Sequence, residues 1–204
     1  ITALALKDKF PNATLYDDKD FENYDLQSEE LTVVSPGIPP YNNMVLNSKN
    51  VVSDYDLFED IIPFSIWISG TNGKTTTTQM CQHLLKEYNS VCGGNIGIPL
   101  SSMDEKAPIW ILETSSFTLH YTNKSKPNIY LLLPISEDHI TWHGSFKEYQ
   151  DAKLKPLTLM NENEIAIIPE EFKDIKTNAQ VITYKNSDDL CEYFKIDKSK
   201  IKFK

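Results

Sequence analysis

Ile66-Trp67-Ile68-Ser69-Gly70-Thr71-Asn72-Gly73-Lys74-Thr75-Thr76-Thr77-Thr78 decides the fold. Apolar, strand-forming residues lead into a tight glycine turn, and the turn opens into a segment, Thr75 to Tyr88, that reads as a helix. This strand–loop–helix order is the setting of a phosphate-binding loop. Gly70 and Gly73 allow a sharp turn and a close approach of backbone to ligand. The free N–H groups at the helix start face an anion, and the helix dipole favours negative charge there. Lys74 can reach terminal phosphates, and the Thr75 hydroxyl can sit on magnesium. The general loop pattern asks for a further glycine where this chain has Ile68, so what remains is the shorter Gly-x-x-Gly-Lys-Thr.

Outward from this corner, strands and helices alternate. Expected strands are Leu31–Val34, Asn50–Val52, Ser65–Ser69, Pro108–Glu113, Asn128–Pro134, Glu164–Ile168 and Gln180–Tyr184, with a short one at Ala13–Tyr16 and a short segment at Ser90–Cys92. Helices are expected at Ile1–Phe10, around Asp54–Asp60, at Thr75–Tyr88 and at Phe146–Leu159, the last interrupted near Pro156. The run Asn128–Pro134 is almost wholly apolar, which suits a central strand buried on both faces. The polar, lysine-rich tail from Asn186 receives no assignment. The alternation predicts an α/β protein with a mostly parallel, doubly wound sheet. Pro63 separates a first part, residues 1–61, from a second, residues 62–204.

The 204 residues carry a net charge of −9, which argues against nonspecific nucleic-acid binding. Cys81, Cys92 and Cys191 form no Cys-x-x-Cys pair, as in reduced thiols of a cytoplasmic protein. No apolar run is long enough to span a bilayer, so no membrane insertion is expected. A monomer is expected.

Three groups could carry chemistry beside the loop. Glu113 ends an apolar strand, where an acid can hold magnesium bridging two phosphates; an acid simply facing water would read the same way. Thr114, Ser115 and Ser116 follow with hydroxyls. His139 follows the Asn128–Pro134 run at the end where α/β sites lie. His139 and His143 are four apart, but no third zinc ligand stands at suitable spacing. Lys153 falls on an expected helix, where a lysine is ordinarily a solvated charge. The Ser35-Pro36-Gly37-Ile38 turn ends a strand and reads equally as a ligand turn or a plain surface loop. Asn123-Lys124-Ser125-Lys126 faintly matches a guanine-reading motif but lacks its acid.

Taken together, Gly70–Thr76, Gly94-Asn95-Ile96-Gly97, Glu113-Thr114-Ser115-Ser116-Phe117, Asp138-His139 and His143-Gly144-Ser145-Phe146-x-x-Tyr149-x-x-Ala152-Lys153 resemble the Mur ligase family of ATP-dependent amide ligases. Within it, the Gly-Asn-Ile-Gly and Glu-x-Ser-Ser-Phe segments point to the member that joins D-glutamate to UDP-N-acetylmuramoyl-L-alanine in peptidoglycan precursor synthesis. A tripeptide-forming Mur ligase or a folylpolyglutamate synthase is the alternative among enzymes. A nucleotide-binding module without chemistry is the alternative outside them.

The resemblance implies that Gly70, Thr71, Asn72, Gly73, Lys74, Thr75 and Thr76 bind ATP. It also implies that Thr75 and Glu113 hold one Mg2+ and that His139 holds a second beside a carbamylated Lys153. Lys74, His139 and Lys153 would be the catalytic residues, while Ser35, Pro36, Gly37, Asn95 and Ser115 would meet the sugar nucleotide. Residues 1–61 would then be part of an N-terminal Rossmann-like substrate domain, and 62–204 an incomplete central ATP domain. The family's third domain is missing from the pattern, so the fragment is expected to have little activity. Thr141-Trp142 stands where close relatives have Asp-Arg, and Thr114 and Thr118 replace Leu and Gln.

Overall fold

Three branched or bulky apolar residues in a row, Ile66-Trp67-Ile68, cannot all turn to one side of a strand, so their strand must be covered on both faces. The computed structural model describes residues 2–17 and 31–200. In it this strand lies at the middle of a six-stranded sheet, and Trp67 and Ile68 are wholly buried.

The first part of the chain is small. Helix α1 (Thr2–Lys9) is followed by strand β1 (Thr32–Val33), helix α2 (Asn43–Asn47), strand β2 (Val51–Val52) and helix α3 (Asp54–Leu57). β1 and β2 pair in parallel, apart from the main sheet. The strand expected at Ala13–Tyr16 is absent: Pro11 opens a turn, and Ala13 N–H bonds back to the Phe10 carbonyl at 2.9 Å. The helix expected over Asp54–Asp60 stops at Leu57 and passes into a 3-10 turn, Glu59–Ile61.

The second part carries β3 (Phe64–Ser69), α4 (Lys74–Leu84), β4 (Ser90–Gly94), β5 (Ile109–Glu113), α5 (Ser116–Tyr121), β6 (Ile129–Leu132), α6 (Ile140–His143), α7 (Phe146–Leu159), β7 (Ile165–Pro169), β8 (Gln180–Tyr184) and α8 (Ser187–Tyr193). The strand order is β4-β5-β3-β6-β7-β8, and every pairing is parallel. The chain leaves β3 toward β4 and β5, then crosses to β6 on the other side. That reversal opens a crevice at the carboxyl ends of β3, β5 and β6, where open α/β sheets bind ligands. α4 packs on β4 and β5, and α5 packs on α7.

Trp67, Trp110, Leu112, Tyr130, Leu132, Leu157 and Ile168 are among the core residues. Tyr55 of α3 meets Trp67 edge-on, with ring centroids 4.8 Å apart, so the small first part shares this core. The helix expected to reach Tyr88 gives way at Leu84 to a 3-10 turn, Lys86–Tyr88, which closes on Asn89 in a left-handed conformation. α7 runs unbroken through Pro156, contrary to the expected interruption. Proline removes one N–H donor, yet Pro156 is buried in the helix face that also buries Ala152, Lys153 and Leu157, and the helix continues through it to Leu159. No helix of the described residues is long and apolar enough to cross a membrane.

Candidate active site

Gly70 begins the loop at a φ of +141°, and an added Cβ there would stand 2.5 Å from Leu133 Cβ. Only glycine fits so close beneath β6. Gly73, left-handed at +83°, caps α4, so Lys74 starts the helix with its amides free toward the crevice. The loop is stitched on both flanks. Thr71 N–H bonds to the Pro134 carbonyl at 3.2 Å, and Leu133 N–H to the Ser69 carbonyl at 2.8 Å. The Thr71 hydroxyl donates to the Ser136 carbonyl at 3.0 Å and pairs with the Tyr149 hydroxyl at 2.9 Å. Lys74 Nζ donates to the carbonyls of Gly70 (3.0 Å) and Thr71 (2.8 Å), so its ammonium folds over its own loop.

Glu113 faces Ile68 on β3 and Gly94 on β4 in the parallel register, which sets its carboxylate beside the loop. It is only 2% exposed. Thr75 Oγ1 donates to Glu113 Oε2 at 2.7 Å, and Asn95 Nδ2 donates to Oε1 at 2.8 Å. Two candidates from separate elements thus converge on a third. The donors satisfy a carboxylate that burial alone would penalise.

Lys153 is 1% exposed, and its Nζ donates to the Gly70 carbonyl at 2.8 Å and to Ser69 Oγ at 3.4 Å. It lies 4.8 Å from the centre of the Tyr149 ring. Burial, helped by the nearby Lys74 charge, lowers its pKa from 10.5 to about 7. The local reading of Lys153 as a solvated helix lysine is therefore overturned.

His139 lies on the same rim but is differently held. It is left-handed at φ +52° and caps α6, with its side chain about half exposed. Its N–H bonds to Asp138 Oδ1 at 2.8 Å. Its ring lies 4.7 Å from that of Phe117 and 6.1 Å from that of Tyr149, which links it through Tyr149 and Thr71 to the loop. Among the described residues no three His, Cys, Asp or Glu side chains form a metal cage.

Ser115 caps α5, accepting from Thr118 N–H at 3.0 Å. The Ser35-Pro36-Gly37 turn meets this second part: Trp142 Nε1 donates to the Gly37 carbonyl at 3.3 Å, and the Tyr121 hydroxyl to the Ile38 carbonyl at 2.8 Å. Asn123, Lys124 and Ser125 direct their backbone N–H groups at the Asp56 carboxylate, which makes this loop a joint to α3. His143 was missed by sequence reasoning as a partner of the serine run. It is buried, with Nε2 at 2.9 Å from Ser116 Oγ and Nδ1 without a partner, and burial lowers its pKa to about 4. A cavity of about 700 Å³ between α1 and β1 touches none of the candidates.

The chain is similar in sequence and fold to known proteins. The chain is 47% identical over 213 residues to a UDP-N-acetylmuramoylalanine–D-glutamate ligase of Campylobacter jejuni, a match taking in 98% of this chain and 53% of that protein. It is 47% identical over 196 residues to the Helicobacter pylori protein of the same name, taking in 91% of this chain and 46% of the relative. The chain thus spans about half the length of the curated relatives it matches. A crystal structure of MurF ligase from Thermotoga maritima in complex with ADP shares the fold, with 18% identity, a TM-score of 0.51, and coverage of 67% of this chain and 38% of that one. Residues 68–203, more than half of the sequence, match the Mur ligase middle domain, and the chain belongs to that family.

Proposed function

We propose that this chain is the ATP-binding part of a ligase that joins D-glutamate to UDP-N-acetylmuramoyl-L-alanine, acting in the cytoplasm. The observation that carries the reading is the convergence of Thr75 and Asn95 on the buried Glu113, at the mouth of a loop whose lysine is already in place. The name shared by the Campylobacter and Helicobacter relatives supports the substrates. Residues 1–61 would belong to the sugar-nucleotide unit and residues 62–204 to the ATP unit.

In such a reaction a carboxylate oxygen of the sugar nucleotide attacks the γ-phosphorus of ATP, and ADP leaves. The amine of D-glutamate then attacks the acyl-phosphate carbon. Phosphate leaves with the C–O bond electrons, and the nitrogen loses a proton. The protein's part is positioning and charge neutralisation. The α4 amides and Lys74 bind the phosphates. Glu113 and Thr75 offer hard oxygens suited to Mg2+, which needs few protein ligands when phosphate and water supply the rest. When bound, the metal neutralises the charge that develops on phosphate oxygens.

His139 would contribute to a second metal position. The Lys153 amine, largely neutral near pH 7.5, can attack CO2: a C–N bond forms and a proton leaves. The resulting carbamate gives an oxygen donor where the bare amine gives none. Ser35, Pro36, Gly37, Asn95 and Ser115 would meet the sugar nucleotide.

The test uses the full-length protein. ATP-dependent phosphate release requiring both UDP-N-acetylmuramoyl-L-alanine and D-glutamate is expected. Turnover with another amino acid in place of D-glutamate, or release that ignores the sugar nucleotide, overturns the reading.

A further inference from the structure

Trp142 has no place in the chemistry above, yet it stands between two parts of it. Its indole N–H reaches the carbonyl of Gly37, in the turn of the first part. Its ring lies 4.6 Å from that of Phe117, tilted by 34°. Phe117 in turn lies 4.7 Å from the His139 ring. One residue earlier, the Thr141 carbonyl accepts from the Tyr41 hydroxyl at 3.4 Å, a second bond from α6 to the first part. α6 is one turn long, and helices this short do not hold themselves together. Its shape, and the left-handed backbone of His139 at its start, depend on what its side chains touch.

Resting on the function proposed above, we infer that Trp142 is a positioning residue that ties the Ser35-Pro36-Gly37 turn to His139. The indole N–H holds the turn, and the ring holds Phe117 against the histidine. Occupancy of the turn by the sugar nucleotide and metal holding at His139 are therefore coupled through Trp142 and, behind it, Phe117. The two functions of the residue are separable: the donor acts on the turn and the ring acts on the histidine.

The experiment follows phosphate release by the full-length enzyme while UDP-N-acetylmuramoyl-L-alanine and Mg2+ are varied independently. It also measures binding of UDP-N-acetylmuramoyl-L-alanine by calorimetry without ATP or Mg2+, where Trp142→Phe is expected to weaken binding by the same factor as its KM rises and Phe117→Leu to leave it unchanged. Trp142→Phe keeps a ring and removes the donor. It is expected to raise KM for the sugar nucleotide by about three- to tenfold, with kcat and the Mg2+ requirement within twofold of wild type. Trp142→Ala removes both and is expected to raise KM and also the Mg2+ needed for half-maximal rate, each by about fivefold or more. Phe117→Leu keeps the Gly37 bond and breaks the ring link, so it is expected to raise the Mg2+ requirement alone. This variant decides the matter if Trp142→Ala fails to fold. Unchanged KM in Trp142→Phe, or an unchanged Mg2+ requirement in Phe117→Leu, overturns the coupling. If wild type turns over normally and the variants match it, only this inference fails. If wild type shows no turnover, the functional reading falls and takes the inference with it.

Discussion

The loop corner and the α6 segment are both parts of the candidate site, but they are built by different means. At the corner, Glu113 and Lys153 are almost wholly buried, and hydrogen bonds with Thr75 of α4, with Asn95 just after β4 and with Gly70 just after β3 fix them. Around α6, His139 is half exposed and is held by its own backbone conformation, by Asp138 and by ring contacts. Groups of the first kind are in place before any ligand arrives. A group of the second kind can shift with its neighbours. The lesson is that one rim can hold a rigid electrostatic half beside an adjustable half.

The comparison breaks most visibly at the corner. Glu113→Gln in the full-length enzyme keeps the outline of the side chain, with its amide oxygen accepting from Asn95 and its amide N–H donating to the Thr75 hydroxyl, but removes the charge, and kcat/KM is expected to fall by roughly a thousandfold. Circular dichroism should stay native. A loss under tenfold would mean that the acid is structural.

Lys153→Met is expected to lower the rate by on the order of a hundredfold. The matching measurement is intact mass at fixed dissolved CO2. The adduct of one CO2 on Lys153 should increase as pH rises through about 7, because only the neutral amine reacts and burial brings its pKa down to about 7. An ordinary lysine would show this only in alkaline solution.

His139→Ala is expected to cost less, about tenfold, and to be partly recovered by raising Mg2+. Equal losses at His139 and Glu113, insensitive to Mg2+, would erase the distinction between the two halves.

The smallest effect on turnover is expected at the foot of the joint. Asp54 follows Ser53, which bonds to Tyr121 and Thr122 at the end of α5. Asp54 Oδ1 is buried without a partner, and burial raises the pKa from 3.8 to about 6. A raised carboxyl pKa means that the folded state favours the neutral acid. That stability is complete below pH 3.8 and is lost as pH rises through about 6. Asp54→Asn should therefore stabilise the protein at pH 7.5 by about 1 kcal/mol, within the roughly 3 kcal/mol that a two-unit shift allows. It should change little at pH 4 and leave turnover intact, as read by urea unfolding at both pH values.

Local chemistry was legible in the sequence. The Gly70–Thr76 corner and Glu113 at the end of an apolar strand follow from neighbours within a few residues, and so does the parallel alternation. What stayed hidden depends on distant partners. Lys153 reads as solvated because nothing nearby in sequence shows that α7 presses it against Gly70. The role of Trp142 depends on Gly37, 105 residues away. The helix α5 was missed although Ser115 is a sound N-cap, because six residues give too little periodicity to detect. The His143–Ser116 pair left no signal beyond the two residue types.

Lys74 folds its ammonium onto the carbonyls of Gly70 and Thr71. A newcomer must outcompete two oxygens that carry only partial charge, and the displaced carbonyls then turn to water or to the next donor. A neutral molecule of the same outline has little with which to open that latch, whereas a polyanion opens it readily. The ammonium at this corner is thus held by its own backbone, and only a partner of greater negative charge than a carbonyl gains by replacing that hold.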